Sequence, residues 1–449
     1  MKKPWYFPVA IAGIFAASLA CAQALSSGPV KEVAAQSSTG AWLRADQLAL
    51  QQQVQKRSVP DGAAQDDSQT WLPVMQEFKA LIDNDPELYM LFTQMFEQIP
   101  RTPQYQNDPV GNPQVRHYRD MLKLINQILT QAPEYNKTDL VGFPINAIVN
   151  WAMGTPAGAA AFLNPKVNRQ LKKVLAQWAV FLNSPDSLAV LNNHLKKGWL
   201  GRDALQAMPT LVQDFEVNPE LPHYGFKSWD DFFVRRFREG RRPVASPNDD
   251  NVIANACESA PYKLAKDVKW QDQFWIKDQP YSLSHMMDGD ALAQQFVRGT
   301  IYQAFLSAAS YHRWHSPVSG RIVKTRLIDG SYYAQTPAVG FDTAGPNESQ
   351  GYITQVASRG LIFIEADNPK IGLMAVMFVG MAEVSSNDIT VYEGQHVNKG
   401  DQLGMFHFGG STHALFFRPE VKLDFDLRGQ TPGLDTKNIP VRALLATVR

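Results

Sequence analysis

The sequence predicts an α+β protein, an N-terminal all-α domain followed by a β-rich one, on three observations. Apolar residues recur at three-to-four spacing between Trp71 and Leu182. Pro86, Pro133, Pro156 and Pro185 cut that stretch into helix-length pieces. Beyond Gly225 the apolar runs become short and glycine-bounded, which is the texture of strands.

Taken in order, the first residues read as a processing signal. Lys2 and Lys3 supply positive charge, Val9 to Leu19 an apolar run, and Ala20-Cys21-Ala22 a small-x-small site. Residues 1–22 are therefore expected to be a signal peptide cut before Gln23, and the protein to be exported, periplasmic or secreted. The apolar run is shorter than the roughly 20 residues of a membrane span. Cys21 admits a second reading, a lipid anchor, but Ser18 stands where a lipobox carries an aliphatic residue. With cleavage after Ala22, Cys257 is the one cysteine left, and no internal disulfide forms. Residues 23–68, rich in Ala, Gln and Ser, read as a disordered linker.

Residues 69–215 are expected to form the helical domain, with about six helices by periodicity. Trp71, Met75, Phe78 and Ile82 share one face, as do Tyr118, Leu122, Ile125 and Leu129, and Leu171, Leu175, Trp178 and Leu182. That placement already accounts for the aromatic residues as core. In residues 225–449, Gly320-Arg321-Ile322-Val323-Lys324-Thr325, Gly360 to Glu365 and Gly372 to Gly380 read as strands. At 449 residues the chain accommodates two domains and a sizeable core. Its 43 basic and 43 acidic residues balance, which argues against nucleic acid or an anionic membrane surface as an electrostatic partner. The basic run Arg235 to Arg242 is interrupted by Phe237 and Glu239. It reads as a solvated or salt-bridged face, although an arginine there could receive a substrate carboxylate.

The segment Phe408-Gly409-Gly410-Ser411-Thr412 carries the chemistry. A serine behind two glycines sits at a peptide bond with little steric cover, where the backbone can reach strained angles. Attack of Ser411 Oγ on the Gly410 carbonyl would convert the amide to an ester. β-Elimination and hydrolysis would then leave a pyruvoyl group in place of Ser411. An ordinary turn is the competing reading of the same tetrapeptide.

Several segments in a fixed order give the chain a resemblance. They are Trp229-Asp230-Asp231-Phe232-Phe233-Val234-Arg235-Arg236 closing with Arg242-Pro243, Phe274-Trp275-Ile276-Lys277 with Pro280-Tyr281-Ser282-Leu283, Tyr311-His312-Arg313-Trp314-His315-Ser316-Pro317-Val318-Ser319-Gly320, Val397 to Gly404, and Gly410-Ser411-Thr412. Together they resemble the phosphatidylserine decarboxylase family of pyruvoyl enzymes. Trp71, Gly142-Phe143-Pro144, Gly154 to Gly158 and Trp178 to Ser184 are similar to the helical extension of its aromatic L-amino-acid, or tryptophan, decarboxylase-like branch.

The resemblance implies a self-processing carboxy-lyase cut between Gly410 and Ser411, with a covalent pyruvoyl cofactor from Ser411 and with large and small chains that stay associated. It assigns His315 as the base and His312 to decarboxylation or substrate positioning. Glu258, in Ala256-Cys257-Glu258-Ser259, stands where the family carries its triad aspartate. Its extra methylene means either a displaced backbone or a substitute acid such as Asp249 or Asp250. Phe406, Phe408, Tyr311 and Trp314 could supply apolar surroundings that favour loss of a carboxylate. A free amino acid, aromatic such as tryptophan, is the implied substrate, and phosphatidylserine the alternative. A membrane partner is expected only with lipid anchoring or a lipid substrate. No metal is expected, because His312 and His315 are the only closely spaced pair among nine histidines and no Cys cluster accompanies them. A third reading is a non-catalytic module. Pro317-Val318-Ser319-Gly320 with Val397-Asn398-Lys399-Gly400-Asp401 resembles the barrel-sandwich hybrid of lipoyl carriers, but Gly372 to Gly380 holds no lysine of the kind carriers modify.

Overall fold

The computed structural model describes residues 70–449 except 139, 274–278, 308, 344, 384–385 and 409–410. The expected signal peptide and linker, Phe274 to Lys277, and Gly409-Gly410 lie outside the described residues.

Among the described residues, six helices of eight or more residues come first: α1 (Pro73–Asn84), α2 (Pro86–Glu97), α3 (Tyr118–Ile128), α4 (Pro144–Met153), α5 (Pro156–Leu163) and α6 (Pro165–Leu182). Five of them start on proline, which suits a position whose N–H has no partner in the helix. Met75, Phe78 and Ile82 of α1, and Leu171, Leu175, Trp178 and Leu182 of α6, are buried as their spacing requires. A short helix, α7 (Trp229–Phe233), follows.

Strands begin at β1 (Val252–Ala254). The central sheet has the order β2 (Ala260–Lys266), β3 (Thr300–Leu306), β11 (Ser411–Phe417), β7 (Leu373–Gly380), β6 (Arg359–Ala366), β5 (Gly320–Ile328), β9 (His396–Val397), and every adjacent pair is antiparallel. A second sheet joins β4 (Arg313–His315), β10 (Gln402–His407) and β8 (Ser386–Ile389). A third joins β1, β13 (Leu444–Val448) and β12 (Leu423–Phe425). The fold class is α+β.

Both faces of the central sheet are covered, which explains why β7 reads as an unbroken apolar run instead of alternating. Met374, Val376 and Phe378 join one apolar cluster, while Ala375, Met377 and Val379 join the other. The first cluster also takes in the helical residues, through contacts such as Trp178 on Phe408 with ring centroids 5.7 Å apart. Trp71–Arg449 accordingly form one compact unit.

Candidate active site

Ser411 opens β11, flanked by Leu306 of β3 and Gly380 of β7. Strand alternation puts its side chain on the same face as His413, Leu415 and Phe417. That face carries the second sheet. Trp314 of β4 stacks on Phe378 at 3.9 Å and meets Phe406 of β10 edge-on at 4.8 Å. Phe378 in turn lies against the His413 ring at 6.4 Å. The layer that bears His312 and His315 therefore covers the face that bears Ser411. Ser411 is fully buried, and its Oγ makes no hydrogen bond among the described residues.

His315 is 2% exposed. Its Nδ1 lies 2.8 Å from the Gly400 carbonyl, which can only accept, so the ring proton sits on Nδ1 and Nε2 is the basic nitrogen. Tyr311 donates its hydroxyl to that Nε2 at 2.9 Å. Burial pushes the imidazole down to about 3, and the nearby Arg442 guanidinium pushes the same way against the Gly400 bond. At neutral pH the ring is thus uncharged, the form in which it can accept a proton. Tyr311 is pushed up to about 12 by burial and keeps its proton.

Gly400 matters here. At φ +89° it turns the Asn398–Asp401 corner so that its carbonyl meets both His315 Nδ1 and Arg442 Nε, the latter at 3.0 Å. Lys399 beside it anchors the corner by donating to the carbonyls of Ser246, Asp249 and Val252 at 2.7, 2.7 and 3.1 Å.

Glu258 occupies a different position from that of an imidazole partner. Arg242 grips its carboxylate through Nε and a terminal nitrogen at 3.0 and 2.9 Å, and Val441 N–H adds a bond at 2.9 Å. Among the described residues no hydrogen bond joins it to His315. The connection is through the backbone and through Tyr311. His315 N–H donates to the Ala256 carbonyl at 2.9 Å, and Glu258 and Tyr311 line one cavity of about 270 Å³ with Arg235, Arg242 and Asn438. Asp249 is exposed, and its carboxylate receives Asn251 N–H and Nδ2 within its own turn at 3.0 and 3.1 Å.

His312 is fully buried and stacks on Phe233 of α7 at 3.9 Å. The motif from Trp229 to Arg236 holds the paired-histidine strand in place. Arg313 Nε donates to the Val234 carbonyl at 2.7 Å, and Arg235 donates to the carbonyls of Ala309 and Ser310 at 2.7 and 3.1 Å. Burial lowers Arg235 to about 10, so it remains charged. Three residues of the site escape a sequence reading of roles: Tyr311 as the partner of Nε2, Arg442 behind the ring, and His413. Of these, Tyr311 had a signal in its place at the head of the paired-histidine motif, and His413 in its two-residue step from Ser411 along a strand.

Two family models match the chain: phosphatidylserine decarboxylase over residues 72–208, and phosphatidylserine decarboxylase again over residues 229–432. The L-tryptophan decarboxylase of Psilocybe cubensis is 39% identical over 382 residues, 80% of this chain and 83% of that protein. Decarboxylase iboD of Amanita muscaria is 42% identical over 302 residues, 63% of this chain and 86% of its own length. The phosphatidylserine decarboxylase proenzyme of Chlamydia trachomatis serovar L2 is 30% identical over 221 residues, 48% of this chain and 68% of its own. A buried serine under a layer bearing two histidines, with these likenesses, defines a carboxy-lyase. The chain belongs to the phosphatidylserine decarboxylase family, in a branch that resembles the tryptophan decarboxylases.

Proposed function

We propose that this chain cuts itself between Gly410 and Ser411 and then decarboxylates a free aromatic L-amino acid, tryptophan first. The observation that carries the processing is Ser411 itself, a nucleophile buried at the head of a central strand, its Oγ without a partner among the described residues. In the precursor, Ser411 Oγ bonds to the Gly410 carbonyl carbon while the C–N bond breaks, and the hydroxyl proton travels through a base to the departing nitrogen. His315 is that base: its Nε2 lone pair becomes available once Tyr311 turns aside. The Gly400 carbonyl keeps the ring in the right tautomer, and Glu258, which lines one cavity with Tyr311, holds Arg242 in place. Loss of the residue-411 α-proton then breaks Cβ–Oγ and releases Gly410 as a carboxylate. Water removes the nitrogen of the remaining dehydroalanine as ammonia, leaving a pyruvoyl ketone.

The site fits that group, since residue 411 is wholly buried between β3 and β7. A ketone there supplies the electron sink for loss of CO₂ from a bound amine. His312, seated on Phe233, positions the substrate; the aromatic side chains around Trp314 and Phe406 desolvate its carboxylate. The two chains stay together because β11 is bonded along its whole length to β3 and β7. Residues 69–215 act as the helical domain and 225–449 as the catalytic domain of an exported enzyme.

The substrate reading is supported by the extent of the likeness, 80% of the chain for the L-tryptophan decarboxylase against 48% for the phosphatidylserine enzyme. Phosphatidylserine is the second reading, favoured by the description of both family models. CO₂ release from tryptophan, phenylalanine and tyrosine, measured against phosphatidylserine in detergent micelles at matched concentration, decides between them. Faster turnover of a free aromatic amino acid is expected; preference for the micellar lipid over all three would reverse the assignment.

A further inference from the structure

Glu383 lies wholly buried three residues beyond Gly380, the register partner of Ser411. Its Oε1 accepts the Asn146 N–H at 2.8 Å in the first turn of α4. The N–H groups of Ile145 and of Glu383 itself also favour the charged carboxylate, yet burial outweighs all three and pushes the group up to about 8. A further N–H donor at the carboxylate would favour its charged, accepting form against that burial. Its other oxygen, Oε2, makes no hydrogen bond among the described residues, and neither do the hydroxyl of the fully buried Tyr333 nearby or Asn146 Oδ1. A buried polar atom without a partner costs about 1–3 kcal/mol. Helix capping explains Oε1 but leaves the other three atoms without a partner among the described residues, and such groups ask for one.

The position indicates what that partner is. A strand advances about 3.3 Å per residue, so Glu383 is at most about 10 Å along the chain from Gly380. That is roughly the span of one amino acid with a large side chain. A substrate held by its amine at residue 411 carries its carboxylate only two bonds from that amine, so across such a span only the end of a large side chain reaches Glu383. We propose that Glu383, with Tyr333 beside it, is a specificity-determining site that receives the ring N–H of an indole side chain on Oε2. The proposal rests on the free-amino-acid reading above and specifies which amino acid the site is built for. A site made to bond an N–H discriminates strongly against an isostere that lacks it, because its own polar groups are then left unpaired.

The test begins with the mature wild-type enzyme, comparing kcat/KM for L-tryptophan and for 3-benzothienyl-L-alanine, in which sulfur replaces the ring N–H. A value at least about 10-fold lower for the sulfur analogue is expected. In Glu383→Gln the amide oxygen can still accept Asn146 N–H while the amide nitrogen faces the indole N–H, donor against donor. That variant should mature as the wild type does by intact mass, and lose about 10-fold or more on tryptophan, mainly through KM, with little change on the sulfur analogue. Equal turnover of the two substrates by the wild type, or equal losses on both in the variant, overturns the proposal. If the variant does not fold, the wild-type comparison alone decides. A wild-type enzyme that decarboxylates no free amino acid refutes the substrate reading itself, an outcome distinct from equal turnover.

Discussion

Two imidazoles held neutral by burial give this protein a measurable pH signature. His315 and His413 are each pushed from 6.5 down to about 3, burial being the main cause in both; a backbone bond to Ala304 opposes it at His413. The unfolded chain takes up a proton at each ring near pH 6.5, whereas the folded chain does so only near pH 3. The stability tied to the neutral rings is thus fully present above about pH 6.5 and is lost progressively as the pH falls toward 3. At pH 5 each ring lies about 1.5 pH units below its unfolded value, which at about 1.36 kcal/mol per unit is roughly 2 kcal/mol per ring. Glu383 works in the opposite direction, because its carboxyl is raised from 4.5 to about 8 by burial and gains its proton in the folded state first. The total pH dependence is therefore a mixture, and the difference between parent and variant isolates one ring. His413→Leu in a Ser411→Ala background, which keeps a single chain, is the suitable variant. Urea unfolding at pH 7.5 and pH 5 should show the parent losing about 2 kcal/mol more than the variant across that step, whatever their stabilities at pH 7.5. Equal losses in the two proteins would show that His413 is not held neutral, and the burial argument for His315 would weaken with it.

Gly400→Ala places a side chain at φ +89° and drives its Cβ into Val244. It should cost about 1–3 kcal/mol in thermal unfolding and leave a larger uncleaved fraction on gels, because the carbonyl that orients His315 moves. The chain beginning at residue 411 should co-elute with the large chain in size-exclusion chromatography at physiological salt and separate only in denaturant, since β11 is central to the sheet. Separation without denaturant would contradict the strand order.

Periodicity made much of the fold legible. Met75, Phe78 and Ile82, or Tyr118, Leu122 and Ile125, are buried because their spacing left no other face for the core. The runs at Gly320, Gly360 and Gly372 became β5, β6 and β7. What stayed hidden depends on contacts between distant segments. Arg242 was visible as the close of a motif and the end of a basic run, yet neither reading told that it holds the Glu258 carboxylate that sequence comparison alone would hand to His315. Tyr311 reaches His315 Nε2 across four residues of non-helical chain, where no local period brings side chains together. Glu383 meets Asn146 across 237 residues, a pairing that exists only because the helices fold back onto the sheet.

Intact-mass analysis of the purified protein tests the central claim most directly. The account predicts two chains for the wild type, one ending at Gly410 and a small one beginning with a pyruvoyl group in place of Ser411, and a single chain for Ser411→Ala. A wild-type protein that remains one uncleaved chain after prolonged incubation would contradict it.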